Sequence, residues 1–202
     1  MKKLSSLIIL AALCLGAVTS ASAQVRFGVK AGLNLADFSG SDIEGTKMLP
    51  TFMVGGQAEF GLSDALGLGV GLQLQGKGAK ADGEDASITP MYIQVPVYLT
   101  YRNSGFFVGV GPYFGFGIAG KNKFGGESEN LSFGSSIDDD LSALDFGAGL
   151  ELGYEFGSLR ASASYNLGLA NVLPKDAADE FDVSAKNTVI GLALAYMFGA
   201  AE

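Results

Sequence analysis

The chain has 202 residues, 48% of them apolar and 17% charged, which excludes a disordered chain and fits a single domain. Thirty glycines, five prolines, no Trp and no His exclude histidine-dependent catalytic triads and histidine metal sites. Thirteen basic against 21 acidic side chains leave a net charge of −8, which argues against a nucleic-acid partner.

Met1-Lys2-Lys3 is a short basic start, Leu4 to Val18 an apolar run, and Ala21-Ser22-Ala23 a small-residue cleavage site. That is the pattern of a secretory signal peptide over residues 1–23. The apolar run falls short of the roughly 20 residues that a spanning helix needs. Leu13 before Cys14 does not fit a lipoprotein signal, in which a small residue precedes the cysteine. The remaining domain, 24–202, has 179 residues, 11 of them basic and 21 acidic, and no cysteine. Disulfides, zinc–thiolate sites and cysteine nucleophiles are therefore excluded from it.

From Gln24 onward no stretch holds a helical period, and eight segments alternate with period two. Val25 to Leu35 sets Val25, Phe27, Val29, Ala31, Leu33 and Leu35 against Arg26, Gly28, Lys30, Gly32 and Asn34. Phe52 to Leu62 sets its apolar row against Met53, Gly55, Gln57, Glu59 and Gly61, and Leu66 to Lys77 opposes leucines and Val70 to glycines, glutamines and Lys77. Ile93 to Arg102 and Phe106 to Ile118 form the next pair; the second carries Phe107 and Tyr113 among the glycines of its other face. Leu144 to Phe156 opposes Asp145, Glu151 and Glu155; Leu159 to Leu169 opposes Arg160; and Asn187 to Phe198 carries no charge on either face. Segments of this length cross a bilayer when tilted.

Ser63 to Ala65, Asn103 to Ser104 and Gly157 to Ser158 read as tight turns, and the alternate connections are long. The long ones, Asp37–Pro50, Gly78–Ser87, Ala119–Ala143 and Asn171–Lys186, carry charges of −2, −2, −3 and −2. Acidity is thus expected at one end of an up-and-down meander, with short periplasmic turns at the other.

Alternation alone also fits a soluble lipocalin-like carrier with an apolar interior, so residue size decides which face looks outward. The non-apolar face is rich in Gly, Ser and Gln, which suits the crowded lumen of an eight-stranded barrel better than a solvated exterior. The apolar face has no charge in any segment, and Phe60, Tyr101, Phe106, Tyr154, Phe156, Tyr196 and Phe198 gather near the short turns as an interfacial girdle. The fold class predicted is all-β: an eight-stranded antiparallel transmembrane barrel. Its lumen would hold Arg26, Lys30, Glu59, Lys77, Arg102, Asp145, Glu151, Glu155 and Arg160, five positive and four negative, which suggests internal ion pairing and a plugged interior. Pro96 and Pro112 each remove a ladder donor, so a bulge is expected nearby.

Tyr92-Ile93-Gln94-Val95-Pro96-Val97-Tyr98-Leu99, Gly109-Val110-Gly111-Pro112-Tyr113, Asp145-Phe146-Gly147-Ala148-Gly149, Asn166-Leu167-Gly168-Leu169-Ala170-Asn171 and Tyr196-Met197-Phe198 follow one another in a familiar order. With Gly28-Val29-Lys30-Ala31-Gly32-Leu33-Asn34, the chain resembles the PorT-like outer-membrane β-barrel family of Bacteroidota-type Gram-negative bacteria. The resemblance implies a barrel of about eight strands in the outer membrane; the secretion role of its founding members does not follow from it. Phe198 is followed by Gly199-Ala200-Ala201-Glu202, a departure from the usual terminal aromatic signal.

Asp138-Asp139-Asp140 with Glu127 and Glu129 could offer oxygen ligands to Ca²⁺ but lack a spaced ligand loop, and a solvated acidic loop is the plainer reading. Gly67 to Gly71 alternates with large residues and no helix follows, so it is not a phosphate loop. No catalytic, cofactor-binding or metal residue is assigned, and no cofactor is expected. The expected role is structural or interacting. The expected partners are outer-membrane lipid and lipopolysaccharide, together with an envelope or extracellular partner at the loops. A small pore or solute-binding barrel is the alternative within the membrane.

Overall fold

Period-two alternation becomes eleven strands and one short helix among the residues that the computed structural model describes, 25–40, 43, 45–83 and 85–198. Segment 1–23, read as a signal peptide, and residues 199–202 lie outside them. Eight long strands are staves: β1 (Val25–Ser39), β3 (Leu49–Gly61), β4 (Leu66–Gly76), β6 (Ala86–Asn103), β7 (Phe106–Phe124), β9 (Leu144–Phe156), β10 (Leu159–Gly168) and β11 (Lys186–Phe198). The connections hold β2 (Thr46–Lys47), β5 (Ala79–Ala81), β8 (Glu127–Asn130) and the helix α1 (Lys175–Phe181).

Each stave pairs antiparallel with its sequence neighbours, and β1 also pairs with β11 from Phe27↔Phe198 to Ser39↔Lys186, which closes the barrel and leaves no open stave. The β6–β7 turn is the two-residue kind that needs positive φ twice; Ser104 has φ 51° and Gly105 φ 87°. A Cβ on Gly105 would also stand 2.7 Å from the Tyr154 ring, so glycine is required there on two counts.

The large apolar side chains face outward: Leu33, Leu72, Phe106, Leu192 and Leu194 are each at least 60% exposed, while Arg26, Lys30, Glu59 and Asp145 are buried inside. This is the reverse of a water-soluble carrier, whose apolar face would line the interior. The outward row of β7, Phe106 to Ile118, spans about 30 Å along the barrel axis at the usual rise and a tilt near 40°, matching a bilayer core. At the short-turn end Phe106 packs edge-on against Tyr154 at 4.7 Å, Tyr154 against Phe156 at 4.5 Å, and Tyr196 against Phe198 at 5.2 Å. These rings are the predicted girdle.

The long connections are more ordered than the sequence suggested. β6 and β7 continue beyond the barrel as a two-stranded ribbon, with Ala86 opposite Phe124, and β8 adds to β7 while β5 and β2 add to β6, giving a sheet β2-β5-β6-β7-β8 outside the membrane band. The absence of helix is likewise corrected by α1. Seven residues make about two turns, too few to print a period, and no α1 side chain is buried to create one. Register shifts at Met91/Tyr92, next to Pro90, and not at Pro96 or Pro112. At those two prolines the β6–β7 ladder instead lacks its pairs between Pro96↔Tyr113 and Leu99↔Val110, with register kept.

Candidate functional site: the lumen and its mouth

All nine lumen charges named from the alternation meet in ion pairs. Nearest the short turns, Glu59 is the hub, 3.2 Å from Arg26, 2.9 Å from Arg102 and 2.7 Å from Arg160. Glu155 takes the other arms, 2.5 Å from Arg26 and 2.6 Å from Arg160. Arg160 also stacks 4.5 Å over Phe107. One level up, Lys30 Nζ donates to Glu151 Oε1 at 2.6 Å. Toward the loops, Lys77 Nζ donates to Asp145 Oδ2 at 2.6 Å and lies 4.3 Å from the Tyr113 ring centre and 5.3 Å from that of Tyr92.

β-strand alternation explains why these groups converge. Arg26 and Lys30 are four residues apart on β1, Glu151 and Glu155 four apart on β9, and a period of two sends each pair inward. A charge buried alone would be very costly, so pairing is what lets so many enter the interior. Neutral groups fill the rest: Tyr98 Oη donates to Asn166 Oδ1 at 3.0 Å, and Tyr113 Oη reaches Asp145 Oδ2 at 3.4 Å. Gln75 is fully buried, and both its amide atoms lack a protein partner. The cavity lined by Glu59, Gln73, Tyr98, Phe107, Glu151 and Arg160 measures about 30 Å³, room for water and not for a larger solute.

The mouth is roofed as well. Phe133, from the β7–β9 connection, sets its ring edge-on to Tyr92 at 6.1 Å. That connection is tied to the one between β10 and β11: Ser142 N donates to Val172 O at 2.8 Å, and Asp176 N to Ser135 O at 3.2 Å. Leu131, Leu141, Val172 and Ala185 are buried there. Asn171 holds the second connection by donating to Val183 O at 2.9 Å and accepting from Ala185 N at 3.0 Å.

Two of the acidic residues weighed for Ca²⁺, Asp139 and Asp140, are occupied within their own loop. Asp140 Oδ2 accepts from Ser132 N and Oγ, both at 2.7 Å, and Asp139 Oδ2 accepts from Ser136 N at 2.9 Å. Glu127 and Glu129 stand apart on β8, and among the described residues no three potential metal ligands converge. The roof was beyond sequence reasoning, because Phe133 shows no period. Tyr92 could have been found by extending the fourth segment back one residue, onto the lumen face.

The model of the family described as "Outer membrane protein beta-barrel domain" matches residues 19–173. None of the curated protein sequences matches the chain. Among solved structures, Neisserial surface protein A shares 13% identity over 85% of this chain and 97% of its own, with a TM-score of 0.52, a likeness of fold alone. The attachment invasion locus protein Ail of Yersinia pestis has 13% identity over 87% of this chain and 99% of its own at TM-score 0.49. A major outer membrane protein of Thermus thermophilus has 15% identity over 86% and 99% at the same TM-score.

Proposed function

Because this chain belongs to the outer membrane protein beta-barrel domain family and is an outer-membrane barrel, we propose that it is a structural or interaction protein that conducts nothing and works through its outer face and loops. The observation that carries this reading is the filled lumen: nine charges in ion pairs around a cavity of about 30 Å³, under a roof of two joined loops. A pore reading would require all three layers to open together.

The finer kinship we propose is with PorT-like barrels, on the strand motifs from Tyr92 to Phe198; a part in secretion is not included. No enzymatic role is proposed. Without His, a hydroxyl nucleophile would need another base, and the lumenal carboxylates are held by cations. The partners we propose are outer-leaflet lipid along the wall and an envelope or extracellular partner at the loops.

Planar-bilayer recording on the purified protein tests the reading. Heat-modifiable migration with a silent bilayer is expected, whereas discrete, reproducible conductance steps would replace it with the pore.

A further inference from the structure

The acidic total conceals a basic row. In the sheet outside the membrane band, Lys47 lies directly opposite Lys80, Lys80 opposite Ser87, and Ser87 opposite Lys123. Opposed residues of neighbouring strands share a face, so one line of side chains crosses β2, β5, β6 and β7. Two residues along, Thr89 opposes Lys121 on that same face. Glu127 and Glu129 oppose Phe124 and Asn122 instead, which puts the β8 carboxylates on the other side.

The lysine face looks outward. Ser87 and Thr89 alternate with Pro90 and Tyr92, which are buried, and their row continues down β6 through Met91 to Ile93 on the exposed apolar wall. Ala79, next to Lys80, is buried on the inner side. Lys121 stands three residues beyond Ile118, the top of the outward apolar row of β7. At the usual rise and tilt that is about 8 Å above the apolar band, with Lys123 about 5 Å higher, the depth of the headgroup layer. Lys47 and Lys80 are also like charges directly opposed, so this corner keeps one positive charge in excess of the single carboxylate paired there. Asp82 pairs with Lys47, and among the described residues no carboxylate pairs with Lys80, Lys121 or Lys123.

We infer that this outward face, Lys47, Lys80, Lys121 and Lys123 with Ser87 and Thr89 between them, binds the phosphate groups of outer-leaflet lipopolysaccharide. The inference rests on the membrane reading above and gives the lipid partner a place. Lysines supply the charge as flexible point cations, and the hydroxyls supply additional donors. Lipid is the occupant favoured because the row is continuous with the lipid-facing wall and points along the membrane plane.

The test compares the purified barrel with K80Q/K121Q/K123Q, and with K175Q/K186Q as an off-face control, in nanodiscs. Binding of bisphosphorylated and of dephosphorylated lipid A is measured, with heat-modifiable migration as the check of folding. At about fivefold per lysine near a charged surface, the triple variant is expected to bind bisphosphorylated lipid A at least tenfold more weakly. The control is expected to match wild type, and the dephosphorylated lipid to bind both proteins alike. Equal binding of the two lipids by wild type, or of the phosphorylated lipid by wild type and triple variant, overturns the inference. Full competition by millimolar inorganic phosphate overturns the lipid assignment in favour of a free anion. If the triple variant loses its folded band, K121Q and K123Q measured singly must each weaken phosphorylated lipid binding, and no effect from either overturns the site. A wild-type protein without a heat-modifiable folded form would instead refute the membrane reading itself.

Discussion

Glu59→Gln removes one charge from the lumen while keeping the side chain's shape. Glu59 is 3% exposed and faces three guanidinium groups, those of Arg26, Arg102 and Arg160, at 3.2, 2.9 and 2.7 Å. In the native cluster three arginines share Glu59 and Glu155; in the variant they share Glu155 alone. Breaking a buried ion pair by removing one partner costs about 3–5 kcal/mol. Arg102 is 25% exposed and regains some hydration, which places the expected loss near the lower end, about 3 kcal/mol. The assay is urea unfolding in lipid, followed by the folded-to-unfolded band shift and by circular dichroism. Glu59→Gln/Arg102→Gln returns the cluster to a single excess positive charge and is expected to recover about half the loss, since the sites share one network. A single variant within about 0.5 kcal/mol of wild type, or a double variant less stable than the single, would refute the view that charge balance holds this layer together.

Leu192→Arg, at an exposed position midway along the outer wall, is expected to destabilise the barrel by about 2–4 kcal/mol in lipid, read from the same unfolding curves. Gly149→Ala would put a Cβ 2.0 Å from Tyr98 Oη and 2.7 Å from Asn166 Oδ1. It should break the Tyr98–Asn166 hydrogen bond and cost about 1–3 kcal/mol, again by urea unfolding. Leu33→Cys/Leu192→Cys, made in a chain of residues 24–202, which has no native thiol, joins directly opposed positions of β1 and β11. Oxidation should give a fast-migrating closed form on denaturing gels, whereas Leu33→Cys/Leu72→Cys, on strands that are not neighbours, should not.

What the sequence made legible follows from where a side chain meets a sharp change of medium. Every stave separates lipid from a packed lumen, so Leu33 and Asn34, or Leu150 and Glu151, differ in kind and print the period. The same contrast named all nine lumenal charges, although which carboxylate serves which cation depends on barrel closure and was not readable. Above the membrane both faces of the sheet meet water, the contrast disappears, and β2, β5 and β8 leave no pattern. There Lys80 and Lys123, far apart in sequence, come to flank Ser87 only through the β5–β6 and β6–β7 registers, so net charge hid a local positive face. Pro96 and Pro112 show another limit: a missing donor was legible, but its outcome, a ladder gap with register kept, was not.

The closing ladder between β1 and β11 holds 13 residue pairs, and its two strands come from opposite ends of the described chain. Until both are present, each would offer an open row of backbone donors and acceptors, which is a template for aggregation in water and costly in hydrocarbon. Assembly is therefore close to all-or-none and favours sealing late, once every stave has been delivered to the membrane. Damage should be tolerated just as unevenly. A cut in an outer connection leaves every stave bonded on both sides, whereas loss of one terminal stave unseals the whole cylinder.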